Sequence, residues 1–265
     1  MGSDLFDLTG RIAVVTGAAR GLGRASAVGL AGYGADVACI DLDAGNCEDT
    51  CAEITARGRG CRAYGCDVSD QPAVAATMAR IAAEFERIDI LVNIAGITAR
   101  VPTDRISPEQ VRHLTDVNYH GTFWCCQEAG RLMLAQGGGS IVNMSAYGGG
   151  IAGIGRGNAA YCSTKGAIAA LTRDLACEWA HAGIRVNAVA PSWFQTEMNA
   201  STVFADKKFI DQVMTKVPLK KIGHPAELVG PVVFLVSDAA SMITGLVLPV
   251  DGGTSATCPI AAADD

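Results

Sequence analysis

The sequence predicts a single-domain α/β fold, a doubly wound, seven-stranded parallel sheet with helices on both faces. Three observations carry this. Short apolar runs of five or six residues recur without polar alternation, as strands buried on both faces require. Longer helical stretches separate them, and repeated βα units impose right-handed crossovers. No linker or composition shift divides the 265 residues, a length that one large domain accommodates.

The elements follow in order. Residues 11–16 (RIAVVT) form the first strand, a glycine loop follows, and a helix runs over 22–33. Residues 36–41 (DVACID) are the second strand, 44–57 a helix and 61–67 the third strand. Residues 72–87 are helical, with Pro72 suited to a first turn, and 89–94 (DILVNI) are the fourth strand. One long helix is expected over 108–136, then strand 140–145, helix 158–181 and strand 184–190. Helix 225–237 and strand 246–250 close the pattern.

Composition excludes several classes. With 49% hydrophobic and 18% charged residues, the chain is too apolar for disorder, and its 31 glycines show no collagen period. A net charge of −6 without a basic cluster argues against a nucleic-acid partner. No apolar run reaches the length of a membrane span. Residues 1–10 carry Asp4 and Asp7 and no apolar core of a signal peptide, so a cytoplasmic location is expected. The ten cysteines are scattered, mostly in apolar segments, and read as reduced core residues. Cys47 and Cys51 have helical i,i+4 spacing, but no second pair with metal-ligand spacing follows, so no metal site is expected.

The loop Thr16-Gly17-Ala18-Ala19-Arg20-Gly21-Leu22-Gly23 joins the first strand to the first helix. Gly17 permits a tight turn, and Gly21 and Gly23 let the backbone approach a pyrophosphate at the helix N-terminus, where free N–H groups favour anions. This is the context of a Rossmann dinucleotide loop, and no Gly-Lys-Ser/Thr follows to suggest an NTPase. Asp41 closes the second strand, where a carboxylate accepts hydrogen bonds from adenosine ribose hydroxyls and repels a 2′-phosphate. NAD is therefore expected over NADP, although Arg20 beside that pocket pulls toward a 2′-phosphate. A plain helix-capping role for Asp41 or Asp43 is the alternative.

Tyr161 and Lys165 stand at i,i+4 on one helical face. An ammonium beside a phenol favours the phenolate, so Lys165 is expected to lower the Tyr161 pKa and suit it to proton exchange with a carbinol or carbonyl oxygen.

With these motifs in place, the chain resembles the short-chain dehydrogenase/reductase family over about residues 8–253. The matching motifs are the glycine loop, Asp67-Val68, Asn93-Ile94-Ala95-Gly96 (family form NNAG), Val117-Asn118, Tyr161 to Lys165, Arg185-Val186-Asn187, Pro191 and Asp251-Gly252-Gly253. The resemblance implies these roles. Asp67 and Val68 flank the adenine, while Asn93, Ala95 and Gly96 line the cofactor floor. Leu22 and Leu42 join Asp41 and the loop residues as cofactor contacts. Tyr161 is the acid/base, Lys165 holds the nicotinamide ribose, and Asn118 anchors a water in a proton relay. Pro191, Phe194 and Thr196 meet the nicotinamide end. A homotetramer is also implied. The segments 5–10, 95–98 and 135–139 and the helix around Trp179 look like the gluconate 5-dehydrogenase-type sugar-acid and polyol dehydrogenases, and 3-oxoacyl reductases share most of them.

One position departs from the family. It places a catalytic serine where IVNMSA puts Ala146, 15 residues before Tyr161. Three readings stay open: Ser145 substitutes through a backbone shift, the chain is an engineered serine-to-alanine variant, or it is a natural member with reduced or altered activity. The engineered variant is the favoured one. Loss of such a polarising donor removes on the order of 2.7–4 kcal/mol of transition-state stabilisation.

Nine glycines lie between Gly137 and Gly157, beside the expected cleft. Residues 192–217 read as a substrate lid and 254–265 as a short tail. Ser145, Tyr147, Arg156, Asn158 and Trp193 are the substrate-pocket candidates, and Arg100 and Arg156 suit a carboxylate. The four histidines form no ligand pattern. The expected activity is NAD-dependent interconversion of a secondary alcohol and a ketone on a small polyhydroxylated or acidic substrate. The alternatives are an NADPH-dependent 3-oxoacyl-thioester reductase and a non-catalytic nucleotide-binding regulator.

Overall fold

Apolar β-branched runs pair into one parallel sheet in the computed structural model, which describes residues 5–197 and 207–257. The strands are β1 (Ile12–Thr16), β2 (Asp36–Asp41), β3 (Cys61–Gly65), β4 (Ile90–Asn93), β5 (Gly139–Met144), β6 (Ile184–Pro191) and β7 (Val247–Val250). Their order is β3-β2-β1-β4-β5-β6-β7, and every pair is parallel. The strand order reverses between β1 and β4. Ligands of open α/β sheets bind at such a switch point, beyond the carboxyl ends of the strands.

The helices are α1 (Gly21–Gly32), α2 (Glu48–Ala56), α3 (Gln71–Phe85), α4 (Pro108–Thr115), α5 (Gly121–Gln136), α6 (Ala159–Trp179), α7 (Lys207–Lys216) and α8 (Val229–Val236). Successive strand residues face opposite sides and build two cores. On one face Ala13, Val15, Val37 and Val92 pack with α1 and α8 through Leu30, Val232 and Leu235. On the other, Val14, Ala38, Leu91 and Ile141 pack with α3, α5 and α6 through Met78, Met133 and Leu175. The predicted fold class is the observed one.

Local chemistry sets the boundaries. Asp70 caps α3 by accepting the Ala73 amide, with Pro72 in the first turn. A capping box of Ser107 and Gln110 starts α4. The long helix expected over 108–136 is interrupted: Asp116–His120 forms a π-helical turn between α4 and α5. Such turns occur disproportionately at functional sites, and this one carries Asn118. Helix 44–57 likewise starts with a 3-10 turn, Ala44–Cys47, before α2. The predicted lid contains α7 at 207–216, while residues 198–206 of that lid and 258–265 of the tail lie outside the described residues. Among the described residues no helix is long and apolar enough to cross a membrane.

Candidate active site

The carboxyl ends of β1, β2 and β4 hold the glycine loop by short, local bonds. Thr16 Oγ1 accepts the amides of Ile94 (3.0 Å) and Ala95 (3.1 Å), tying the end of β1 to that of β4. Asp41 Oδ2 accepts the Ala19 amide at 3.1 Å and Oδ1 accepts that of Leu42 at 2.9 Å. Thr50 on α2 donates to the Ala18 carbonyl at 3.0 Å. Gly23 closes the turn, because a Cβ there would stand 1.8 Å from the Gly17 carbonyl oxygen. Arg20 occupies the N-cap of α1 without a side-chain capping bond, so the first amides of the helix are left for an anion. Thr196 closes over Gly21, whose Cβ would meet it at 3.5 Å. These features fit a dinucleotide pyrophosphate with its adenosine ribose beside Asp41.

The catalytic candidates converge at the ends of β4 and β5. Buried Asn118 accepts the Ile97 amide at 2.8 Å and donates to the Ile97 carbonyl (3.0 Å) and Thr164 Oγ1 (3.1 Å). Thr164 donates in turn to the Tyr161 carbonyl at 2.7 Å. Lys165 is buried, and its Nζ donates to the Met144 carbonyl at 2.7 Å. Gly96 faces this pair: a Cβ there would lie 3.1 Å from Asn118 Oδ1 and 3.7 Å from Lys165 Nζ.

Burial lowers the Lys165 ammonium to about 8. The Tyr161 phenol is pushed up, first by burial and then by the Cys162 sulfur. The expected lowering of Tyr161 by Lys165 is therefore corrected. The ammonium is aimed at the Met144 carbonyl, stands 5.8 Å from the Tyr161 ring centre, and does not offset the lost hydration of the phenol.

Ala146 follows β5 in an extended conformation and is buried, with its carbonyl accepting the Gly150 amide at 3.1 Å. Ser145 does not replace a serine at 146. Its hydroxyl donates to the Lys165 backbone carbonyl at 2.9 Å and is fully buried. The turn Tyr147–Ile151 folds back on α6, and Gly149, at φ +92°, has no room for a side chain: a Cβ would sit 1.9 Å from the Cys162 carbonyl oxygen.

On the substrate side, Phe209 of α7 gathers two of the pocket candidates, Trp193 and Arg156, together with Arg100. The Trp193 ring meets it edge-on at 4.8 Å between centroids. The guanidinium of Arg156 stands 5.4 Å from its centre and that of Arg100 5.5 Å. Arg156 also donates to Gln212 of α7 at 2.5 Å, from a left-handed backbone at φ +59°.

The family model described as "Enoyl-(Acyl carrier protein) reductase" matches residues 17–255. D-threitol dehydrogenase of Mycolicibacterium smegmatis is 38% identical over 248 residues, 94% of each chain. Gluconate 5-dehydrogenase of Gluconobacter oxydans is 39% identical over 250 residues, covering 94% of this chain and 96% of its own. The crystal structure of a gluconate 5-dehydrogenase from Burkholderia cenocepacia in complex with NADP and tartrate superposes with a TM-score of 0.92 at 34% identity, covering 96% of this chain and 99% of that one. The chain belongs to the short-chain dehydrogenase/reductase family.

In this short-chain dehydrogenase/reductase Asp41, Ala95 and Thr196 lie against the glycine loop, and Gly96 faces Asn118 and Lys165. Four other side chains are spent elsewhere. Asn93 donates to Asn143 Oδ1 at 2.9 Å inside the core, so its side chain does not line the cofactor floor. Phe194 packs into the core beside Gly223 rather than standing open at the nicotinamide end. Asn158 holds its own loop, donating to the Gly155 carbonyl at 2.8 Å, and is buried. Ser145 is the fourth. Asp67 accepts the Ser69 amide and hydroxyl within its own turn, and Val68 packs beneath Gly121. Pro191 ends β6, and Leu42 is exposed beside Asp41. Sequence reasoning missed Phe209; the i, i+4, i+8 spacing of Phe209, Val213 and Val217 was the available signal.

Proposed function

We propose that this family member, an oxidoreductase acting between an alcohol and a ketone, acts on a secondary alcohol of a small polyol or sugar acid, with Tyr161 exchanging the carbinol proton. The observation that carries this is the bonded chain from Asn118 through Thr164 to the Tyr161 backbone carbonyl, which seats Tyr161 on α6 with buried Lys165 one turn away. The substrates named for the threitol and gluconate relatives support the substrate class. Arg100 and Arg156, brought together at Phe209, supply positive charge for a carboxylate-bearing member of it.

A bound nicotinamide supplies or accepts the hydride. The chain's own residues do the rest. Lys165, buried with its ammonium on the Met144 carbonyl, provides a cation for the nicotinamide ribose. Asn118, fixed by Ile97 and Thr164, holds its carboxamide in one orientation for a relay water. Ala146 stands where a serine would polarise the substrate oxygen. This form therefore keeps the dinucleotide site and turns over slowly.

For the cofactor, two observations oppose each other. The Burkholderia neighbour's NADP favours NADP. Asp41 favours NAD, because its carboxylate at the end of β2 repels a 2′-phosphate. On this chain's own residues we infer NAD, and a kcat/KM ratio that favours NADP would overturn that choice.

The function is tested by following dinucleotide reduction with threitol, galactitol, gluconate and 3-hydroxyacyl thioesters, with NAD and with NADP. Turnover confined to the polyols and sugar acids is expected. Turnover confined to thioesters would establish a 3-oxoacyl-thioester reductase instead. Tight dinucleotide binding without turnover, in this chain and in Ala146→Ser, would establish a nucleotide-binding protein.

A further inference from the structure

Three cysteine sulfurs meet under α2, at the adenosine side of the sheet. Cys39 lies within β2, Cys61 opens β3, and Cys51 sits on α2. Cys39 pairs in register with Ala63, two residues beyond Cys61, so both cysteines face the same side of the sheet, toward α2. The three Sγ atoms lie within 4.8 Å of one another. Cys61 donates to Cys51 at 2.7 Å, and Cys39 lies 3.7 Å from Cys61. Cys39 is fully buried, whereas Cys51 and Cys61 are half-buried.

The cluster has the properties of a reactive pair. Hydrogen bonds from Cys39 and Cys61 stabilise the Cys51 thiolate and lower its pKa, while Cys61 is held up as a thiol. Two thiolates sharing one tetrahedral zinc at about 2.3 Å each stand about 3.8 Å apart, so Cys51 and Cys61 are closer than co-ligation of a metal requires. Only a short slide of one sulfur separates them from a covalent contact.

We propose that Cys51 and Cys61 form a reversible disulfide that staples α2 to β3. A peroxide is the oxidant. The Cys51 thiolate attacks one peroxide oxygen, the O–O bond breaks, hydroxide leaves and takes up a proton, and Cys51 becomes a sulfenic acid. The Cys61 sulfur then attacks the Cys51 sulfur and gives up its proton. The S–O bond breaks, and the hydroxide released combines with that proton as water. Two thiols lose two electrons, and one hydrogen peroxide is reduced to two waters. The bridge is one residue from Thr50, whose hydroxyl holds the Ala18 carbonyl of the glycine loop.

Peptide mapping of the full chain tests this. The reduced protein is treated with hydrogen peroxide, the remaining thiols are alkylated, and the chain is cut with trypsin and a glutamate-specific protease. Arg57 and Arg59 lie between the two cysteines, and Glu48 separates Cys51 from Cys39 and Cys47, so each of the three candidate partners leaves on its own peptide unless it is bridged. The expected result is a Cys51–Cys61 linked peptide that dithiothreitol dissolves. It is absent from Cys51→Ser and Cys61→Ser and present in Cys177→Ser, which changes an exposed cysteine. The linked peptide in the unaltered chain is read directly, so the outcome stands even if a serine variant fails to fold. Sulfinic acid on Cys51 with Cys61 still alkylatable would overturn the proposal, as would a bridge through Cys39. Protection of the thiols by a stoichiometric metal ion in native mass spectra would overturn it in favour of a metal site.

Discussion

The two ends of the cleft are built from different materials. At the nucleotide end, short side chains bond the backbone: Thr16 and Asp41 each take two amides and Thr50 one carbonyl. At the substrate end, rings and long cations meet around Phe209, and the Ser145 and Asn158 side chains are spent on backbone carbonyls. The first construction fixes a backbone to a ligand shape that does not vary. The second rests on side chains whose substitution reshapes a pocket without disturbing the sheet. Tyr161 and Lys165, the proposed catalytic pair, stand on α6.

The largest effect that separates these ends from the chemistry is expected at Tyr161. Tyr161→Phe should lower turnover by about 10²–10⁴-fold while dinucleotide binding, read by fluorescence titration, persists. A parallel loss of binding would make Tyr161 part of the nucleotide end.

A pH series on Lys165 comes next. Its folded pKa of about 8 lies below the ordinary 10.5, so between these values the unfolded chain holds a proton that the native chain has released. Stability therefore rises with pH across that window, by up to about 3 kcal/mol, and is flat below it. Tyr161 acts in the opposite sense above its ordinary value of 10, where the unfolded phenol ionises first and stability falls. The deficit of the parent relative to Lys165→Met, measured by urea unfolding, should shrink from pH 8 to 10. A constant deficit would show that the ammonium is not desolvated in the native chain.

Thr16→Val keeps the shape of the side chain and removes the acceptor for Ile94 and Ala95. Urea unfolding should show a loss of about 1–3 kcal/mol, with a weaker dinucleotide Kd. At the other end, Arg156→Ala should cost about 0.5–1 kcal/mol in stability, raise KM for a carboxylate substrate and leave dinucleotide Kd unchanged. A change in dinucleotide Kd for Arg156→Ala, or none for Thr16→Val, would break the distinction between the ends.

The strands were legible in sequence because burial on both faces leaves uninterrupted apolar runs; β2 was read at its observed bounds, Asp36–Asp41. The π turn at Asn118 was not, since it shifts hydrogen bonds without altering helical composition. Ser145 and Ala146 could not be told apart by adjacency. Only the folded register shows the Ser145 hydroxyl bonded to the backbone of α6. The meeting of Cys39, Cys51 and Cys61 was hidden for a similar reason, because it depends on the pairing of β2 with β3. Lys165 was read correctly as a residue beside Tyr161, and its effect on the phenol was not, because the desolvation of both groups depends on tertiary packing.

The central claim is that this site lacks one hydroxyl and is otherwise assembled. Steady-state turnover of Ala146→Ser against the parent, with threitol or gluconate and saturating dinucleotide, tests it most directly. A polarising donor restored at that point should raise kcat by about 10²–10³-fold with dinucleotide Kd unchanged. Equal turnover of the two forms would contradict it, and would place the polarisation of the substrate oxygen on another group.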